Sequence, residues 1–368
     1  MILELHLLQS FPVSNLNRDD VGQPKTATFG GHTRARISSQ SLKRAARLLF
    51  NYHGLDAGET GVRTKRLVDS TTELLVARGR EEKESREIVM AALGHLGFGV
   101  DVNKGLTQYL LFVGRSSIEH LAEYCLANWD TLAKIEKKGT KAKPDKATSA
   151  EAKRILDGSR AVDVALFGRM IADNKDFNVD AASQVAHALS THAVVNEFDF
   201  YTAVDDLKAT EDSGADMIGT VDFNSACYYR YANVDLAQLA HNLGDDAELA
   251  ARGVRAWLHA FVNAVPGGKQ NSTAARTMPD TLLGVVRDTG AWNLANAFLK
   301  PVTDTDLMAA STERLAHHFT QLRTFYGSTG LHTVAGASVT GVLPHLPDEE
   351  IVTGIDEFTG RLLAAATA

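Results

Sequence analysis

The chain has 368 residues, 44% of them hydrophobic and 23% charged, and a formal net charge of −7. That composition is ordinary for a globular protein and excludes a disordered, collagen-like or disulfide-scaffold class. No apolar run approaches the roughly 20 residues that span a bilayer, and Met1-Ile2-Leu3-Glu4 lacks a signal-peptide pattern, so a cytoplasmic location without membrane contact is the expectation, with Cys125 and Cys227 as buried, unbridged thiols.

Ile2 to Leu8 alternates, with Leu3, Leu5 and Leu7 on one side and Glu4 and His6 on the other, which predicts a half-buried strand. Phe11 to Thr33, with Pro12, Gly22, Pro24, Gly30 and Gly31, reads as a long functional loop. Ser38 or Ser39 can cap a helix whose core stripe is Leu42, Ala45, Ala46 and Leu49, leaving Lys43, Arg44 and Arg47 off the stripe. Val62 to Asp180 reads as an inserted helical subdomain, broken by an exposed Lys-rich loop from Lys134 to Lys146. Ala182, Val185, Ala186 and Leu189 predict a further helix. Two strand-like runs, Phe198 to Tyr201 and Cys227 to Tyr231, flank the polar Asp205 to Gly219 and suggest a long hairpin. Helical burial runs from Leu236 through Val254, Trp257, Leu258 and Phe261 to Pro266. A strand at Leu282 to Val286 and a helix at Leu307 to Tyr326 complete an α+β chain.

The chemistry concentrates near the start. Val21 to Leu55 holds Lys25, Arg34, Arg36, Lys43, Arg44 and Arg47 and no Asp or Glu; without these six charges the rest of the chain would carry −13. Such a patch on an acidic body suits a polyanion, most simply nucleic acid. The helix start Ile37-Ser38-Ser39-Gln40-Ser41-Leu42-Lys43-Arg44 adds free N–H groups, hydroxyls and cations, all donors for phosphate oxygens; the plainer alternative is a capped, solvated helix. Asp19 and Asp20 could be a metal-binding pair, but no third ligand follows at a recognisable spacing, and a turn role is the simpler reading. His187 and His192 are five apart and His317-His318 face different ways, so all four read as structural or surface residues. Gly267-Gly268-Lys269-Gln270 lacks the rest of a phosphate loop. No cofactor or metal is called for.

Several segments together carry a family likeness. They are Asn15-Leu16-Asn17-Arg18-Asp19-Asp20, Lys25 to Gly31, Arg34 to Ala45, Asp163 to Met170, Phe200 to Leu207, Tyr229 to Asn233, Pro266 to Gln270 and Leu294 to Phe298. In this order they resemble the CasC family, the backbone subunit of type I-E CRISPR Cascade. The resemblance implies an RRM-like (ferredoxin-like) palm at 1–60, 181–197 and 225–368, helical fingers at 61–180 and a hairpin thumb at 198–224. It implies a non-enzymatic protein whose copies stack head-to-tail, as a hexameric backbone, on CRISPR RNA. Its further partners would be target DNA through the guide heteroduplex, the large, small and guide-end-capping Cascade subunits and, indirectly, a recruited helicase-nuclease. Carried onto this sequence, Arg18, Lys25, Ser38, Gln40, Lys43 and Arg44 resemble palm contacts to RNA, with Arg47 and Lys269 as additions and Arg169 and Met170 as a further contact. Met217 or Ile218 would be an apolar wedge at a displaced nucleotide. Acidic thumb residues Asp205, Asp206, Glu211, Asp212 and Asp216 fit phosphate poorly and would dock on protein. Two other classes stay open: a metal-dependent endoribonuclease using Asp19 or Asp20, and a general single-stranded RNA-binding protein.

Overall fold

The computed structural model describes residues 1–138, 146–156, 160–171, 177–203 and 217–366. The chain forms two compact units, one of residues 1–53, 184–236 and 254–368, the other of residues 54–183 and 237–253. Residues 237–253, which the chain order assigns to the palm, cluster with the helical unit.

The first unit is the α+β, RRM-like palm. Its antiparallel sheet runs, edge to edge, Leu331–Ser338, Thr281–Arg287, Ile2–Ser14, Met217–Asp235, Ala188–Ser190, His32–Ile37 and Thr26–Phe29. Ile2–Ser14 is central, and the expectation of a half-buried strand is corrected: Glu4 and His6 are as buried as Leu3 and Leu5. Alternation predicted the two faces but not that both would be covered. On one face Leu8, Tyr229, Tyr231, Leu283 and Val285 pack with Leu294, Phe298 and Phe319. On the other, Phe11, Ala35, Ile37, Ala188 and Tyr228 pack with Leu42. The buried Glu4 and His6 of the first face both find partners, as burial requires. Glu4 forms a 2.7 Å ion pair with Arg287 and accepts from Tyr231 Oη and the Trp292 amide. His6 Nδ1 meets Tyr229 Oη at 2.9 Å, and burial pushes the imidazole down to about 3.

Two further expectations are corrected. Residues 182–189 form strands Ser183–Val185 and Ala188–Ser190, not a helix, because sheet partners claim the backbone groups a helix would pair internally. Phe11 to Thr33 is not one long loop: the first strand extends to Ser14, and Thr26–Phe29 pairs with His32–Ile37. Gly30 and Gly31, at φ 60° and 78°, make the two-residue turn that favours positive φ at both positions.

The hairpin pairs Glu197–Ala203 with Met217 to Phe223, residues of the long strand that lie beyond its pairing with the first strand. The tip, with Asp205, Asp206, Glu211, Asp212 and Asp216, lies outside the described residues.

The helical unit packs Leu67–Ala77, Glu82–His95, Ser116–Ala127 and Trp129–Lys138 around Val68, Leu75, Val89, Leu93, Leu121 and Cys125. The expectation of a loop from Lys134 to Lys146 is corrected at its ends, since 134–138 finish one helix and Lys146 opens Lys146–Ile155; residues 139–145 lie outside the described residues. Among the described residues no helix is long and apolar enough to cross a membrane.

Candidate nucleic-acid interface

The palm loop between Ser14 and Thr26 is held by two asparagines. Asn15 Nδ2 donates to the carbonyls of Gly22 (2.9 Å) and Asp222 (2.8 Å). Asn17 accepts twice: its carbonyl takes the Lys25 amide at 2.9 Å and its Oδ1 takes the Ser38 amide at 2.8 Å. One residue therefore fixes Lys25 relative to the start of the helix Ser39–Arg47. Ser38 is the cap, its Oγ accepting from the Ser41 amide at 3.3 Å, so Ser39 is not. The first turn contains no acid, while Leu42 and Ala46 are buried. Gln40 and Arg44 are exposed and Lys43 and Arg47 half-buried.

Gly268 presses a second loop onto the first: a Cβ there would lie 2.4 Å from the Leu16 carbonyl oxygen. Gln270 closes that loop by donating to the carbonyls of Pro266 and Ala275. Lys269 stands exposed at its turn, with a left-handed φ of 52°. Leu16, Asn17, Arg18, Asp19, Asp20, Gly22 and Gly268 line an open hollow of about 480 Å³. Within it, Asp19 Oδ1 accepts from the Val21 and Gln23 amides, which is turn chemistry. Among the described residues no group of three His, Cys, Asp or Glu is arranged to hold a metal.

The palm thus brings Arg18, Lys25, Ser38, Gln40, Lys43, Arg44, Arg47 and Lys269 into one unit. It does not expose every base of the cluster. Arg34 is fully buried, donating to the carbonyls of Ser190 (3.0 Å), Phe298 (2.7 Å) and Leu299 (3.3 Å). It fastens the Thr26–Phe29 and His32–Ile37 strand pair from inside and is no surface contact.

Met217 and Ile218 pair along the backbone with Ala203 and Thr202; their side chains are not among the described ones. Arg169 and Met170 belong to the helical unit. Arg169 spends Nε on the Phe177 carbonyl (2.8 Å) and Nη1 on the Leu156 carbonyl (2.7 Å), whereas Met170 is 84% exposed. Of this pair, the methionine presents a surface and the arginine holds the segment that carries it.

Arg36, counted in the basic cluster but not among the contacts the resemblance implies, donates from Nη1 at 3.1 Å to Nδ1 of His187, which the sequence reads as a structural or surface residue.

The sequence model described as CT1975-like protein matches residues 3–356. Among solved structures, the chain is similar to one titled "CRISPR RNA-guided surveillance complex, pre-nicking", with a TM-score of 0.88 and 32% identity over 100% of both chains. It is similar to a second, titled "CRISPR RNA-guided surveillance complex", with a TM-score of 0.78 and 27% identity over 99% of this chain and 100% of that one. A comparison with curated proteins returned no match.

Proposed function

The chain belongs to the CT1975-like protein family, and from that premise we propose that it is a guide-RNA-binding backbone subunit of a CRISPR surveillance complex, of the type I-E Cascade kind. Copies stack head-to-tail along CRISPR RNA, six in the full backbone, beside large, small and guide-end-capping subunits. The guide so held pairs with target DNA, and a helicase-nuclease is recruited afterwards. The subunit itself is non-catalytic.

The observation that carries this reading is the acid-free helix start that Asn17 locks to the Lys25 loop. Free N–H groups, Ser38, Gln40, Lys43 and Arg44 there are suited to phosphate and sugar oxygens, which hold any guide sequence alike. Arg18 and Lys269 extend the track from the neighbouring loops, and Arg47 from the same helix. Met170 offers a base an apolar side chain, and Met217 or Ile218 is proposed as the wedge at the hairpin. Both sheet faces are packed and Tyr228, Tyr229 and Tyr231 are buried, so bases would not stack on the sheet as in an ordinary RRM. For the nuclease alternative, the turn bonds of Asp19 favour a structural role.

Light scattering coupled to size exclusion, with single-stranded RNA of increasing length and the partner subunits present, tests the assembly. Mass rising in chain-sized steps with a constant footprint is expected. A monomer on long RNA would remove the backbone role. In the same system Lys43→Ala should lower the log–log salt slope of binding by about 0.7 for each phosphate that is no longer neutralised, with no new sequence preference.

A further inference from the structure

The sheet register places three basic side chains on one face at one edge. Arg36 pairs with Leu189, and His187, two residues from Leu189, shares its face. Across the hairpin, Thr26 pairs with Ala35, so the next pair outward sets Lys25 opposite Arg36, joined by a 2.8 Å bond from the Arg36 amide to the Lys25 carbonyl. Opposite residues of an antiparallel pair point to the same side. Two of these side chains meet accordingly, Arg36 Nη1 donating to His187 Nδ1 at 3.1 Å, while Arg36 Nε donates to the Thr26 backbone carbonyl at 3.2 Å.

We propose that Lys25, Arg36 and His187 form a seat for one phosphodiester of the bound RNA, with His187 donating to it as a neutral imidazole through Nε2. This rests on the RNA-binding reading above and adds two residues and a chemical role to it. A guanidinium has only donors, so His187 Nδ1 must accept, and the single proton of a neutral ring then sits on Nε2. Partial burial first, then Arg36 and Lys25, hold this histidine below its ordinary pKa, which keeps it neutral at pH 7. Arg36 keeps Nη2 and Lys25 keeps Nζ without a protein acceptor among the described residues. No described carboxylate pairs with any of the three. The Lys25 amide is bound to the same Asn17 that holds Ser38, so the seat continues the track at the helix start.

The test measures binding of the complete chain, with its partner subunits where the wild type needs them, to a fluorescein-labelled single-stranded RNA over a range of salt. Arg36→Gln should lower the salt slope by about 0.7. His187→Ala should weaken binding about two- to tenfold with the slope unchanged, as loss of a neutral hydrogen bond does. His187→Asn, which keeps a side-chain N–H, should recover part of that loss. Unfolding midpoints confirm that each variant is folded. Wild-type affinity and slope in both Arg36→Gln and His187→Ala would overturn the seat; a reduced slope in His187→Ala would overturn the neutral-donor role. A wild-type assembly that does not bind RNA at all brings down the RNA-binding reading itself, a distinct result.

Discussion

Arg34 and Arg36 lie two residues apart on the same face of one strand, yet the protein uses them in opposite ways. Over Arg34 the face is roofed by the Leu294–Phe298 turn, whose C-terminal carbonyls take its guanidinium. At Arg36 the roof has ended, and among the described residues the guanidinium bonds only His187 and a strand carbonyl. The same contrast separates two histidines of that face, His6 under the roof and His187 beyond it. Residue type does not decide between frame and open surface here; the reach of a covering segment over 250 residues from Arg34 in sequence does.

The contrast can be broken hardest at Arg34. Arg34→Met keeps much of the volume but leaves the buried carbonyls of Ser190 and Phe298 without their donor. Urea unfolding should show a loss of about 3 kcal/mol. A loss within a few tenths would mean that the roof does not depend on this arginine.

Next comes acid. His6 is held at about 3 in the fold against 6.5 when free, so the folded state takes up its proton later than the unfolded chain. Stability from this group is complete above pH 6.5 and falls by about 1.4 kcal/mol per unit as pH drops toward 3. Glu4, whose carboxyl burial raises, acts in the opposite sense: it favours the fold below 4.5 and less as pH rises. Comparing wild type with His6→Gln isolates the histidine: the variant's unfolding free energy should decline less steeply between pH 6 and 4. Parallel profiles would sink the assignment.

The smallest effect sharpens the open side. Ser38→Ala removes the cap and should cost about 1 kcal/mol by thermal unfolding. If Ser38 also meets RNA, as proposed, affinity should fall in assemblies that are still fully folded.

Local features of this architecture are readable where local chemistry decides them. The Ser38 cap, the Leu42 stripe and the bounds of Leu307–Tyr326 follow from hydroxyl chemistry and from helical periodicity. The Gly30-Gly31 turn is equally local, since two glycines between Phe29 and His32 are a hairpin signal, although the surrounding turn residues disguise it as loop. What could not be read was cover. Glu4 and His6 alternate with leucines as surface residues do, and their partners, Arg287, Tyr231 and Tyr229, lie more than 220 residues on. The spacing of Ala182, Val185, Ala186 and Leu189 fits a helix, but strand partners from two distant segments, His32–Ile37 and Met217–Asp235, outweigh it. Arg34 joins the basic cluster by its charge alone, and nothing in the sequence around Arg169 shows that its guanidinium bonds the Phe177 and Leu156 carbonyls. Asn15, Asn17, Gly268 and Gln270, part of the family likeness, prove to be the frame behind the proposed contacts.

The carbonyls that hold Arg34 are dipoles and not anions. Among the described residues no carboxylate pairs with it, so its full positive charge survives inside an otherwise acidic protein. A low-dielectric surround screens such a charge poorly, and its field reaches the open edge of the sheet within about a Debye length. A side chain that never touches a ligand can therefore quicken the arrival of one.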